Sequence, residues 1–246
     1  MEVEKQIMKT TRIAIIGAME EETREIERFL THVETIEGKA GLKFMAGEYG
    51  GLSIIAVRCG IGKVNAALCT QILLDQYDPE LVINVGVAGG IAPGLHVGDV
   101  VVSDEAQQHD VDTSAFGDPK GIIPRMETSV FQADPELIQL AQKAGHRLGL
   151  PVTVGKVISG DQFIADEELK KALSQEFGAS CTEMEGAAIA HVCAVNQAPF
   201  LLIRSISDAA GEQAVISYED FVTTAAANAA ALVKGMLDEK IHSLQP

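Results

Sequence analysis

Residues 81–87 read LVINVGV, an almost unbroken apolar run that Gly89 and Gly90 follow. A strand buried on both faces has this continuous pattern, whereas a strand with one wet face alternates apolar and polar residues. Similar runs occur at 12–16, 52–58, 98–103, 152–159 and 200–206, and helix-like stretches lie at 20–30, 63–77, 134–148, 166–176, 183–195 and 218–240. This alternation predicts a single α/β domain with a central, twisted, mostly parallel (mixed) β-sheet flanked by helices.

The composition narrows the possible partners and locations. Apolar residues make up 47% of the 246 and charged residues 22%, as in ordinary globular proteins. No apolar run approaches the ~18–20 residues that span a bilayer, and the first ten residues contain no signal-like apolar segment, so we expect a cytoplasmic protein. The net charge of −16 would repel nucleic acid and anionic membranes, so neither is an expected partner. The cysteines and histidines have no metal-ligand spacing, and we expect no metal and no cofactor.

Glycine or a Ser-Asp pair follows most of the predicted strands. Gly17 follows the first, Gly60 and Gly62 the second, Gly89 the third, and Ser207-Asp208 the last. Ligands of open α/β sheets bind beyond the carboxyl ends of strands, where glycine lets the backbone approach closely. The sequence therefore predicts a site assembled from strand ends that are scattered along the chain.

Three glutamates follow the first strand in the stretch GAMEEE, residues 17–22. Glu22 lies four residues before Ile26 and extends the apolar stripe of the predicted helix. Glu20 and Glu21 fall roughly 120–140° from the centre of that stripe and should face solvent. Glu22 is therefore the inward candidate for chemistry, although a first-turn carboxylate that accepts backbone N–H groups explains the pattern as well.

Two further acids take similar positions. Glu185 stands at the N-terminal end of an apolar helical stripe within 181–195, and Glu183 should diverge from it by about 200° on a regular helix. Asp208 stands just after the apolar run of 200–206 stops, although a turn-forming aspartate is common there. A buried carboxylate needs a partner or takes up a proton. Three inward acids favour acid–base chemistry on a neutral polyhydroxy substrate, and they do not identify the substrate.

Seven motifs follow one another along the chain: IIGAMEEE (15–22), CGIGKVNAA (59–67), NVGVAGG (84–90), GDVVVSDEAQQHDVDTSAFG (98–117), SGDQFI (159–164), EMEGAAIAHVC (183–193) and IRSISDAAG (203–211). In this order they resemble the motifs of the 5′-methylthioadenosine/S-adenosylhomocysteine nucleosidases, which belong to the purine nucleoside phosphorylase superfamily. The resemblance extends from about Arg12 to Leu237, nearly the whole chain. It implies a nucleosidase domain at 11–240, a flexible N-terminal extension at 1–10 and a C-terminal tail at 241–246.

The resemblance implies hydrolysis of the N9–C1′ bond of methylthioadenosine or S-adenosylhomocysteine. Asp208 would donate a proton to N7 of the purine, so we expect surroundings that raise its pKa. Glu185 would hydrogen-bond the ribose hydroxyls, and Glu22 would act as base toward the attacking water. General acid and general base catalysis each contribute roughly 10²–10⁴ in rate.

The resemblance also implies a binding set around these acids. Arg204 would help to position Glu22 and the water, and Ser207 would support Asp208. The apolar walls would be Met19, Ile61, Phe163, Met184 and Tyr218; Gly89 would allow close approach, the backbone of Ile164 would read the purine edge, and Glu183 belongs to the same binding set. Thr113, Phe116 and Pro124 resemble the segment with which a partner subunit completes the 5′-substituent pocket, which implies a homodimer.

Two departures from the family pattern leave the substrate range open. Val87 stands where some members have a serine near the catalytic water, and Asp118 stands where some have an aromatic residue. The segment around 109–124 also resembles nucleosidases that accept 6-amino-6-deoxyfutalosine, and 5′-deoxyadenosine is another candidate substrate.

Three other functions compete with hydrolysis. A purine nucleoside phosphorylase would need a cationic cradle for phosphate, and the acidic 20–22 segment argues against one. A noncatalytic nucleoside-binding module is disfavoured because all three acids are present. An NAD enzyme is disfavoured because the first strand is followed by no G-x-G-x-x-G motif.

Overall fold

The computed structural model describes residues 12–208 and 214–244, so the expected extension at 1–10 lies outside the described residues. Its strands are β1 (Arg12–Gly17), β2 (Thr31–Glu37), β3 (Lys43–Tyr49), β4 (Leu52–Arg58), β5 (Leu81–Gly90), β6 (Val100–Gln108), β7 (Val130–Gln132), β8 (Val152–Ser159), β9 (Cys181–Glu183) and β10 (Phe200–Asp208). Its helices are α1 (Glu20–Glu27), α2 (Lys63–Tyr77), α3 (Pro135–Leu148), α4 (Glu167–Phe177), α5 (Gly186–Val195) and α6 (Ala214–Leu244).

The described strands form one mixed sheet in the order β10-β6-β8-β9-β5-β1-β4-β3-β2, with β7 paired to β6. β10 also pairs with β5, so β10, β6, β8, β9 and β5 form a closed ring from which the remaining strands extend. β4, β1, β5 and β10 are mutually parallel neighbours. The α/β class, the mixed sheet and the flanking helices agree with the sequence prediction.

The sheet is mixed, as predicted, and its antiparallel pairings are β10–β6, β2–β3, β3–β4, β5–β9 and β6–β7. The sequence prediction missed β2, β3, β7 and β9. β2 lies at the end of the sheet and is exposed along almost its whole length, so it lacks a buried apolar pattern. β7 and β9 have only three residues each, too few to establish a periodicity.

The core lies between the sheet and its helices. The central strand β5 is buried along nearly its whole length, as its continuous apolar run predicts. α6 packs on β10 and β5 and also contacts α1 and α3. This helix continues to Leu244, so residues 241–244 belong to it rather than to a separate tail. Within the described ranges, no helix is long and apolar enough to cross a membrane.

Candidate active site

A cavity of about 260 Å³ opens where the carboxyl ends of β1, β5 and β10 meet the start of α5. Parallel strands place their carboxyl ends at one edge of a sheet, which brings these distant segments together. Eleven predicted site residues line the cavity: Met19, Glu22, Ile61, Gly89, Phe163, Glu183, Met184, Glu185, Ser207, Asp208 and Tyr218. A narrow extension of about 30 Å³ is lined by Ile164 together with Gly89, Phe163, Met184 and Asp208.

Glu22 is buried and faces the cavity from the first turn of α1, whereas Glu20 is exposed and Glu21 is half-buried. Its Oε2 accepts the backbone N–H groups of Ala18 at 2.6 Å and Met19 at 3.0 Å. Its Oε1 accepts the N–H of Val87 on β5 at 3.2 Å. Both alternatives from the sequence therefore hold together: the carboxylate accepts backbone N–H groups, and it also lines the cavity.

Burial raises the pKa of Glu22, while the positive charge of Arg204 and the three backbone N–H donors oppose the rise. A carboxylate with a raised pKa is a stronger base than an exposed one, because its ionised form gains more by accepting a proton.

The backbone of β5 at Gly86 lies close to the carboxylate of Glu22. A Cβ atom at Gly86 would lie 2.6 Å from Oε1 of Glu22, so only glycine leaves room for the carboxylate.

Glu185 faces the cavity from a loop rather than from a helix. α5 begins at Gly186, so Glu185 is the residue before its first turn and Glu183 belongs to β9. The predicted helix at 183–195 therefore starts three residues too early. The N–H of Gly62 donates to Oε1 of Glu185 at 2.7 Å. Burial, followed by the negative charge of Glu183, raises the pKa of Glu185 to about 8.

Both carboxylate oxygens of Glu183 accept hydrogen bonds from other groups of the protein. Its Oε2 lies 2.7 Å from Nη2 of Arg204 and also accepts the N–H groups of Glu185 at 3.1 Å and Gly186 at 2.8 Å. Its Oε1 accepts the hydroxyl of Ser159. The pair is almost fully buried, so its charges are compensated by each other and by these hydrogen bonds. Glu183 forms part of the cavity wall, and its contacts hold the loop that carries Glu185.

Arg204 contacts different groups from those we expected. Its guanidinium donates to Glu183 and to the side chain and carbonyl of Asn84, and no hydrogen bond to Glu22 occurs among the described contacts. It acts on Glu22 through its charge, which opposes the rise in the pKa of that carboxyl. Asn84 in turn donates to the carbonyl of Ile16 at 2.8 Å, which ties the arginine to β1.

Asp208 ends β10 and is 1% exposed. The hydroxyl of Ser207 donates to its Oδ1 at 3.0 Å, in line with the supporting position expected for Ser207. Nζ of Lys170, on α4, lies 2.6 Å from its Oδ2, and both side chains are almost fully buried. The residue expected to protonate the purine is therefore in direct contact with a buried lysine.

The apolar residues form two walls of the cavity. The rings of Phe163 and Tyr218 meet edge to face with centroids 5.6 Å apart. The Tyr218 hydroxyl donates to Sδ of Met19 at 3.2 Å. Ile61 and Phe163 are about half exposed at the cavity mouth, whereas a core residue would be covered. Aromatic and thioether side chains of this kind can pack against a planar ring system.

The segment that contains Thr113, Phe116 and Pro124 does not reach this cavity within a single copy of the chain. None of them lines it, and Phe116 is 89% exposed. Thr113 instead donates its hydroxyl to Oδ2 of Asp118 at 3.1 Å.

The sequence prediction missed Lys170 and Thr182. Thr182 on β9 lines both the cavity and its extension, and its hydroxyl has no hydrogen-bond partner within the described part of the chain. A signal for Lys170 existed, because it lies three residues before Leu173 and seven before Phe177 on the buried stripe of α4. No group of three or more His, Cys, Asp or Glu residues in 12–208 and 214–244 is placed to hold a metal ion.

A profile of the phosphorylase superfamily matches residues 12–238. A 5′-methylthioadenosine/S-adenosylhomocysteine nucleosidase of Tolumonas auensis is 43% identical over 230 residues, which cover 93% of this chain and 99% of that protein. This chain belongs to the phosphorylase superfamily, among its methylthioadenosine/S-adenosylhomocysteine nucleosidases. The membership agrees with the resemblance found in the motifs.

Solved structures of this superfamily share the fold over almost the full length. A nucleosidase of Colwellia psychrerythraea in complex with adenine has a TM-score of 0.89 and 38% identity, covering 94% of this chain and 96% of that one. A futalosine hydrolase of Helicobacter pylori has a TM-score of 0.89 and 37% identity, covering 94% and 98%. Relatives named for two different substrate classes thus have the same architecture as this nucleosidase chain.

Proposed function

We propose that this chain hydrolyses the N-glycosidic bond of 5′-methylthioadenosine and S-adenosylhomocysteine, releasing adenine with methylthioribose or S-ribosylhomocysteine. The observation that carries the proposal is the meeting of Glu22, Glu185 and Asp208 at one cavity with a wall of apolar side chains. Carboxylates beside C1′ stabilise the oxocarbenium-like sugar that forms as the base departs. The nucleosidase relatives support the same reaction.

The surroundings of the three acids support three different roles. Glu22, with a raised pKa and three backbone donors fixing its orientation, is the proposed base toward water. Glu185 is the proposed acceptor for the ribose hydroxyls, which would add to the N–H donor that Gly62 already gives this buried carboxyl. Asp208 is the proposed source of the proton that N7 of the purine takes up.

The side chains that line the cavity indicate where the adenine and the ribose of a nucleoside would bind. Phe163 and Tyr218 provide aromatic faces for the adenine, and Gly89 permits its close approach. The backbone of Ile164, in the extension beside Asp208, is the proposed reader of the purine edge. Met19 and Met184 are the proposed apolar contacts of the ribose.

Water is the proposed nucleophile, because the described residues of the cavity offer no cationic cradle for phosphate. Among the described residues, its lining contains no lysine or arginine and includes four carboxyl groups. Phosphate binding needs charge-assisted donors, and the nearest cations are engaged, Arg204 with Glu183 and Lys170 with Asp208. A phosphorylase is accordingly disfavoured.

The reaction is tested by incubating the protein with methylthioadenosine, S-adenosylhomocysteine, 5′-deoxyadenosine and aminodeoxyfutalosine, each with and without phosphate. We expect adenine release from the first two at a rate independent of phosphate, with a free sugar as co-product. A sugar 1-phosphate, or a rate that rises with phosphate, would contradict hydrolysis. The structural similarity to a futalosine hydrolase makes aminodeoxyfutalosine the substrate that best tests the breadth of the site.

We also propose a homodimer in which the partner copy completes the 5′-substituent pocket. Support comes from Phe116, which is 89% exposed, and from apolar side chains exposed on and beside α2, Ile61 at 54%, Val64 at 77% and Leu68 at 47%. Sedimentation should give about twice 26.1 kDa. Phe116→Ala should raise KM for methylthioadenosine more than it lowers kcat, and a monomer with a wild-type KM would refute the arrangement.

A further inference from the structure

Lys170 is a buried cation placed against the proposed acid. It is 1% exposed, in the first turn of α4, with Nζ 2.6 Å from Oδ2 of Asp208. Lysine is almost never fully buried without a charged partner, because its ammonium loses a large hydration energy. Nζ also lies 3.4 Å from the position that a Cβ atom would take on Gly89, so the pair lies directly beside the part of the cavity wall that Gly89 forms.

The ion pair leaves open which group supplies the proton that N7 of the departing adenine takes up. As an ammonium and a carboxylate, the pair leaves Asp208 without a proton of its own, whereas departure of adenine requires one at N7. Within the described contacts, two donors lie within hydrogen-bond distance of the carboxylate, the hydroxyl of Ser207 and the ammonium of Lys170. A serine hydroxyl is far too weak an acid to supply the proton, and the ammonium is the stronger acid of the two.

We propose that Lys170 and Asp208 act as one acid that shares a single transferable proton. This inference rests on the proposed hydrolysis. As the N9–C1′ electron pair moves into the purine, the Nζ–H bond breaks and an Oδ2–H bond forms, and the carboxyl then gives its proton to N7. Lys170 is left as a neutral amine, which regains a proton from water after the products leave. Asp208 is the catalytic residue, and Lys170 acts through it.

Because the proposed proton comes from an amine rather than from a lone carboxyl, the pH dependence of adenine release tests the proposal. The other titratable groups around the pair are Glu22 on α1, Glu183 on β9, Glu185 before α5 and Tyr218 on α6, all of which line the same cavity. Glu212 lies outside the described residues.

The test compares pH profiles of kcat/KM for adenine release by wild type, Lys170→Met and Lys170→Arg, with Lys171→Met on the exposed face of α4 as control. All four proteins contain the same surrounding acids. The ratio of the variant rate to the wild-type rate at each pH therefore reports on the Lys170–Asp208 pair. For Lys170→Met we expect a rate within about tenfold of wild type near pH 5 that falls to about 10²-fold below it near pH 9. Arginine keeps the charge but cannot release its proton, so Lys170→Arg should be slow at every pH.

A constant ratio between wild type and Lys170→Met across this range would overturn the proposal, as would full rescue by arginine. If both Lys170 variants fail to fold, as judged by circular dichroism and adenine binding, the pH profile of kcat/KM of the wild-type protein tests the proposal. An alkaline limb above about pH 9 supports the shared proton, and a limb below pH 7 refutes it. A wild type that releases no adenine from any of the nucleosides would instead refute the proposed hydrolysis, which separates the two failures.

Discussion

The buried carboxyl of Glu185 should destabilise the folded protein at neutral pH. Replacing it with glutamine should therefore make the protein more stable while impairing its function. The carboxyl is 8% exposed, and burial together with the charge of Glu183 raises its pKa from 4.5 to about 8. Between these two values the folded state binds a proton that the unfolded chain has released. The free energy of unfolding therefore falls as the pH rises through this window.

The size of the effect follows from the same two values. At pH 7, about 2.5 pH units above the ordinary value, ionisation stabilises the unfolded chain over the folded one by about 3 kcal/mol. Glutamine has no charge to lose, and its amide oxygen can still accept the N–H of Gly62. Glu185→Gln should therefore gain up to about 3 kcal/mol at pH 7, or several degrees in Tm for a chain of this length.

The assay is thermal unfolding of both proteins at pH 5, 6, 7 and 8 at one protein concentration. The difference in Tm should be smallest at pH 5 and largest at pH 8. Glu80→Gln, at an exposed loop position, is the matched control and should show no such trend. A Glu185→Gln protein that is no more stable than wild type at pH 8, or a Tm difference that does not vary with pH, would refute the reasoning. Turnover of methylthioadenosine should fall in the same variant.

Three further predictions follow from the contacts of the site. Gly86→Ala places a Cβ atom 2.6 Å from Oε1 of Glu22, so the carboxylate must move and methylthioadenosine turnover should fall by about 10²-fold; unchanged turnover would contradict the close contact. Arg204→Met leaves Glu183 buried without its cation and should reduce the free energy of unfolding by about 3–5 kcal/mol in denaturant titration, with part of the loss recovered by adding Glu183→Gln. Asp208→Asn should lose most adenine release while retaining the fold by circular dichroism, and near-wild-type turnover would remove Asp208 from its assigned role.

Helical periodicity located Glu22 from the sequence because its environment is local. Four residues separate it from Ile26, and both are buried on the same face of α1. The same argument applied to α4 identifies Lys170, which shares the buried stripe of Leu173 and Phe177. A lysine in an apolar stripe is usually taken as a residue whose stem is covered and whose charge reaches water, which is why this signal is easy to miss.

The contacts of Glu183 and Arg204 could not be predicted from spacing. Periodicity placed Glu183 on a helix, whereas it belongs to the three-residue strand β9, whose existence depends on pairing with β5 and β8. The partner of Arg204 is likewise decided by how β9 and β10 are brought together, a tertiary relation between residues 21 positions apart. The glycines after the strands did predict where the cavity lies, because close backbone approach is a local requirement.

The central claim, that Glu22 activates the attacking water, is tested most directly by single-turnover adenine release from methylthioadenosine with Glu22→Gln. We expect the rate to fall by about 10²–10⁴-fold while the dissociation constant of the substrate stays within about tenfold of wild type, because glutamine retains the shape of the side chain but is not a base. Glu21→Gln, at the neighbouring half-buried position, should behave as wild type. A Glu22→Gln protein that releases adenine at a rate within tenfold of wild type would contradict the account.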